Sequence, residues 1–346
     1  MQAGCADYIG FSKHQPAAQV FVGAAPLGSG AGKSELGCTM LKILGGALCG
    51  GTLLLLGALC AARANIGLPA AASRQEKTSR LTLRQQRQSP LDLEIAGEPG
   101  GQRRIARYVS RADLLELPQV TATVRDDANF KEPTELSGVP LEELRTALGI
   151  PARSDLIVAI CGDQYHAHFP ADYIAAHQPI LVLKINGKGP DEWPKDVHGH
   201  AAYLGPYLIS HARFRPSFKI LAHEDEAQIP WGVVRLEFRQ EEKVFRAIVP
   251  GGSAANDADV QAGLRIAQQN CFRCHNAGAE GGTKAGIPWP VLAGWAAAAP
   301  ERFAAYVRNP QAGNAKTQMA ASPQYDDATM KVLIDYFKSF VNRRWP

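Results

Sequence analysis

Sulfur is scarce in this chain: seven cysteines and four methionines in 346 residues. Cys5, Cys38, Cys49 and Cys60 all fall within the first 60 residues, which leaves Cys161, Cys271 and Cys274 for the rest. Three thiols, two of them in one four-residue span, cannot build a disulfide framework. An excess of one charge is missing too. The net charge is +4, and it falls to +2 once residues 1–64 are set aside with Lys13, Lys33, Lys42, Arg63, Asp7 and Glu35. A near-neutral body offers no electrostatic case for nucleic acid. No internal repeat or low-complexity region is evident. A phosphate loop is also absent. Gly32-Lys33-Ser34 has the ending of G-x-x-x-x-G-K-S, but the first glycine would stand at position 27, which is Leu27.

A long apolar run occurs near the start of the chain. Met40-Leu41-Lys42 leads into an uncharged stretch from Ile43 to Ala62, and Ala62-Arg63-Ala64 follows. This positive, apolar and small-residue order predicts a secretory signal peptide over 40–64, cut after Ala64. The alternative is a retained membrane anchor, because about 20 apolar residues just span a bilayer. Membrane contact is expected only in that second case. Both readings put the body of the protein outside the cytoplasmic membrane. Residues 1–39 precede the leader's own methionine and read as a non-translated or disordered extension. Residues 65–89, with Arg74, Lys77, Arg80, Arg84 and Arg87 among Gln, Ser and Thr, read as a basic flexible linker. What remains is long enough for two folded domains, and a chain that is 46% hydrophobic can supply their cores.

The chemistry concentrates at Cys271-Phe272-Arg273-Cys274-His275. The spacing C-x-x-C-H lets one turn grip a haem by two thioethers and an axial imidazole. A redox C-x-x-C pair or half of a zinc site would need a thioredoxin-like setting or a second ligand pair. Neither occurs in the 71 residues that follow. With no second C-x-x-C-H, one covalent haem is expected. A second axial ligand could come from Met319 or Met330. Met330 shares a helical stripe with Leu333, Tyr336, Phe337 and Phe340 and reads as core. Met319 ends a run of loop formers, Asn309 to Gln318, and reads as the ligand.

On these residues, 256–346 resembles a class I cytochrome c domain. Asn256 or Asp257 caps a first helix whose Val260, Gly263, Leu264 and Ala267 form one face, and the haem motif follows directly. The family's proline-containing loop, whose carbonyl accepts a hydrogen bond from the axial histidine, is matched by Pro290-Val291-Leu292. A short helix Pro300–Val307, the methionine loop and a C-terminal helix complete the likeness. Ala320 stands where the family has a proline after the ligand. The resemblance implies an all-α domain, one haem c held by Cys271, Cys274, His275 and Met319, exchange of electrons with redox partner proteins, and a periplasmic location.

Residues 90–250 alternate short β-rich runs with few helices. Val120–Val124, Leu156–Cys161, Ile180–Ile185, Phe218–Leu221 and Val233–Phe238 read as strands, and Leu141–Leu148 and Ala171–Ala176 as helices. An α+β fold with a mixed or largely antiparallel sheet follows, and Gly251–Ala255 reads as the linker to the haem domain. The run Leu136-Ser137-Gly138-Val139-Pro140-Leu141-Glu142-Glu143-Leu144, with Ile185-Asn186-Gly187-Lys188 and Gly205-Pro206-Tyr207-Leu208, resembles the pterin-binding domain of sulfite-oxidase-type molybdenum enzymes. The stretch matching that family's metal-binding cysteine, Thr121–Phe130, has no thiol, so the resemblance implies a relative without its molybdenum anchor. His166, His168, His198 and His200, with Cys161, form a second candidate metal set, against a plain reading as hydrogen-bonded or surface side chains. Two functions stay open. One is an extracytoplasmic electron carrier with an accessory binding or docking domain. The other is a molybdenum- or other metal-dependent oxidoreductase that feeds its own haem, and the missing cysteine favours the carrier.

Overall fold

The computed structural model describes residues 81–97, 106–125, 127–197, 200–211 and 226–345. The expected leader and the expected strand Phe218–Leu221 lie outside them. No described helix is long and apolar enough to cross a membrane.

The β-rich part runs β1 (Leu93–Gly97), β2 (Arg107–Val109), α1 (Arg111–Leu115), β3 (Val120–Val124), β4 (Thr134–Pro140), α2 (Leu141–Ala147), β5 (Leu156–Cys161) and β6 (His166–Pro170). It continues with α3 (Ala171–His177), β7 (Pro179–Ile185), β8 (Asp196–Val197), β9 (His200–Ala201), β10 (Leu208–His211), β11 (Val233–Arg239) and α4 (Glu241–Phe245). One sheet has the order β2-β1-β11-β5-β6 and a second the order β10-β7-β4-β3, with β8 and β9 forming a small ribbon. The β1–β11 pair is parallel and the other pairs are antiparallel.

The expected mixed sheet is therefore two stacked sheets. Ile157, Ala159, Phe169, Leu236 and Phe238 of the first meet Val139, Leu181, Leu183 and Ile209 of the second in one core. Strands β1, β2, β4 and β10 escaped sequence reading because they are short or mix polar residues into a weak alternation.

The helical part comprises α5 (Ala258–Ile266), α6 (Trp289–Ala298), α7 (Pro300–Arg308), α8 (Pro310–Gly313) and α9 (Asp327–Lys338). Asp257 caps α5, its carboxylate accepting from the Asp259 N–H at 2.9 Å and the Val260 N–H at 3.1 Å. Asp326 caps α9 in the same way, from Thr329 N–H at 2.8 Å. Gly263 sits where α5 meets α9, and a Cβ there would lie 2.5 Å from Tyr336 Cβ and closer still to the Val332 carbonyl. Met330, Leu333, Tyr336, Phe337 and Phe340 are all buried, as their spacing predicts.

Strand β5 explains how the two parts join. All six of its residues are buried, a pattern that requires cover on both faces. Ile157, Ala159 and Cys161 point into the sandwich. Leu156, Val158 and Ile160 point the other way, into a core shared with Val244, Phe245, Phe272, Trp289 and Leu333. Residues Gly252–Asn256 between the parts make a single 3₁₀ turn. Just before it, Tyr336 Oη donates to the Ile248 carbonyl at 2.7 Å and Arg343 to that of Val249 at 3.1 Å.

Candidate functional site

Helix α5 runs into one wide turn, Ala267–Cys271, in which the Phe272 N–H reaches back to the Ala267 carbonyl at 2.9 Å. This i→i−5 bond swings the chain outward at the motif. The N–H groups of Cys274 and His275 both bond the Cys271 carbonyl, at 3.1 and 2.9 Å, and so hold the two thiols and the imidazole on one turn. The two intervening side chains go into the protein. Phe272 is fully buried against Trp289, and Arg273 reaches Glu226.

His275 is 8% exposed, and its Nδ1–H donates to the Ile287 carbonyl at 2.7 Å. That bond leaves Nε2 as the free lone pair, and burial lowers the imidazole's pKa and keeps it neutral, the form that ligates iron. The carbonyl is not supplied by the Pro290–Leu292 run. Pro290 lies in the first turn of α6, behind Pro288, where a ring without an N–H costs no hydrogen bond. Cys271 and Cys274 are free, and burial pushes the Cys271 thiol up to about 12. Two protonated thiols and one oriented neutral imidazole form a donor set that fits a c-type haem. Met319 lies after α8, partly buried against the same core, with its carbonyl held by Gln311 Nε2 at 2.9 Å. Met330 is 2% exposed within α9.

Behind the motif, the hairpin between β5 and β6 is bonded directly to it. His166 N–H donates to the Arg273 carbonyl at 2.9 Å, and Thr283 N–H to that of Gln164 at 3.2 Å. Lys284 pairs with Asp163 at 2.6 Å. Gly282 makes this approach feasible, since a Cβ would collide with the Arg273 carbonyl. Alternation along β11 adds a charged row, in which Arg235 meets Glu94 at 2.8 Å and Glu237 at 3.3 Å. Arg239 meets Glu237 at 3.1 Å and Glu280, in the loop after the motif, at 2.7 Å. Sequence reading found this strand but missed the row, whose signal was the period-2 charge pattern Arg235-x-Glu237-x-Arg239.

Among the described residues, the members of the second candidate set, His166, His168 and Cys161, do not converge on one point. Strand β6 places His166 and His168 on its outer face, ring centroids 6.5 Å apart. Cys161 is buried in the sandwich on the opposite side of the sheet, because an odd-numbered β5 position points inward. His198 and the His200 side chain lie outside the described residues, and no group of three or more metal-ligating side chains occurs among the described residues. His211 bonds Tyr173 Oη at 3.0 Å in a separate cluster.

His168 is 6% exposed, stacks on Phe272 at 5.0 Å, and has no hydrogen-bond partner at either ring nitrogen. Burial lowers its pKa to about 3, and that of His211 likewise. An unfolded chain protonates both near their ordinary value of 6.5, so below that pH it binds more protons than the folded chain. Stability then falls as pH drops from about 6.5 toward 3, by on the order of a few kcal/mol per histidine. Urea melts at pH 7, 5 and 4 measure this, and the His168→Leu chain should show a shallower loss. Equal slopes for the two chains would remove His168 from the account.

Residues 258–337 match the family model described as cytochrome c oxidase, cbb3-type, subunit III. No curated protein matches the chain. The match spans α5, the C-x-x-C-H turn, Met319 and nearly all of α9. The C-terminal region of this chain is thus a c-type cytochrome domain, which makes the protein an electron-transfer haem protein with redox partner proteins.

Proposed function

We propose that the chain is a periplasmic monohaem cytochrome that carries single electrons between partner proteins, with its β-sandwich as an accessory docking body. The observation that carries this reading is His275, held by Ile287 with Nε2 free, on the same turn as two unpaired thiols. Cys271 and Cys274 would hold the haem through thioethers, and His275 and Met319 would bind its iron. When bound, the iron supplies one-electron exchange between its ferrous and ferric forms. Burial around Phe272, Trp289 and Leu333 keeps bulk water from one side of the site. Export rests on the leader over 40–64.

Met319→Ala should abolish the near-infrared sulfur-to-iron absorption band and leave the haem attached. Persistence of the band would move the ligand elsewhere. Met330 would then have to leave the α9 core.

A cavity beside the motif favours a second reading, that of an oxidoreductase feeding its own haem. It has a volume of ≈ 170 Å³ and is lined by Gln164, His166, His168, Arg235, Glu237 and Arg239. Its charged and imidazole lining suits a small polar substrate. The likeness to the sulfite-oxidase-type domain rests on the runs Leu136–Leu144, Ile185–Lys188 and Gly205–Leu208, and its thiol anchor is missing from Thr121–Phe130. Molybdenum and pterin analysis of the purified protein separates the two readings, and a stoichiometric metal would favour the enzyme.

A further inference from the structure

The central pair of a C-x-x-C-H turn has no chemical duty toward a haem, yet here one of the two residues is held at both its side chain and its carbonyl. Arg273 is 12% exposed, and its Nη2 meets Glu226 Oε2 at 2.5 Å. Glu226 is itself fixed, since its N–H donates to Gln269 Oε1 at 2.6 Å, inside the wide turn that leads into the motif. The Arg273 carbonyl takes the His166 N–H at 2.9 Å. Two segments of the β-rich part, the β5–β6 hairpin and the approach to β11, thus grip a single residue between the two cysteines. A floppy accessory domain would need none of this, and an ion pair taken out of water is retained only where its geometry is tightly held.

We propose that Arg273 is a positioning residue. Its ion pair with Glu226 locks the haem-attachment turn to the β-sandwich, so the sandwich forms a wall of the haem site as well as a docking body. The inference rests on haem attachment at Cys271, Cys274 and His275. Opening the pair admits water behind the turn, and water around a haem stabilises the ferric charge and lowers its potential.

The test uses the full chain matured with haem, in the variants Arg273→Gln, Arg273→Lys and Glu226→Gln, with the midpoint potential and the fraction of chains carrying covalent haem as readouts. Charge alone predicts opposite shifts: Arg273→Gln removes a cation and lowers the potential, and Glu226→Gln removes an anion and raises it. Positioning predicts a fall in both, with a several-fold loss of attached haem in each, and near-parental values for Arg273→Lys. Opposite shifts, or no shift in either variant, would overturn the proposal. If Arg273→Gln fails to accumulate, the sign of the Glu226→Gln shift decides by itself. A parent chain that matures without covalent haem would instead sink the haem reading beneath it.

Discussion

Valine at position 263 should drive α5 off α9 and leave the chain unable to hold its haem turn. Gly263 meets the Val332 carbonyl and Tyr336 Cβ with no room for a side chain, and neither neighbour can yield cheaply. The carbonyl belongs to the helix backbone, and Tyr336 is buried and bonded to Ile248 at 2.7 Å. Forcing bulk into a packed contact costs about 1–3 kcal/mol where side chains can shift, and more where backbones must part. A loss of ~3 kcal/mol or more is expected, with a drop in Tm of about 6–12 °C for a folded body of this size. Alanine should produce a smaller fall of the same kind. Far-UV circular dichroism melts check both variants, and a valine chain melting with the parent would show that the two helices need not touch.

The second large effect is chemical. Under the proposed attachment, Cys271→Ser with Cys274→Ser removes both thioethers and leaves His275 with its Ile287 bond intact. Acid–acetone should then strip all haem from a chain whose parent keeps all of its haem, and each single variant should keep one link. A ligand that binds only the folded chain also stabilises it, so the double variant should melt lower than the parent even before extraction. Haem that resisted extraction from the double variant would place its attachment at other residues.

The haem turn was legible because it is local. Two thiols and an imidazole at fixed spacing meet on one turn whatever surrounds them, and the cap Asp257 acts within three residues of itself. The stripe from Met330 to Phe340 declared a buried helix face for the same reason. Misreadings arose where a partner came from elsewhere in the chain. Pro290 matched a loop by its residue type, but the carbonyl that orients His275 belongs to Ile287, and only the course of the chain into α6 could assign it. Cys161 and His166 are five residues apart and looked like neighbours, and the pleat sends them to opposite faces of one sheet.

By itself, the sequence determined the haem motif of the C-terminal region, the helices α5, α7 and α9 and the strands with strong apolar runs, all of which depend on contacts a few residues long. Tertiary structure alone decided that the sheets stack in two layers, that β5 is buried on both faces, and that Arg273 is gripped by Glu226 across 47 positions. The reason is physical: a strand's alternation says which residues share a face, and only the packed fold says what that face meets.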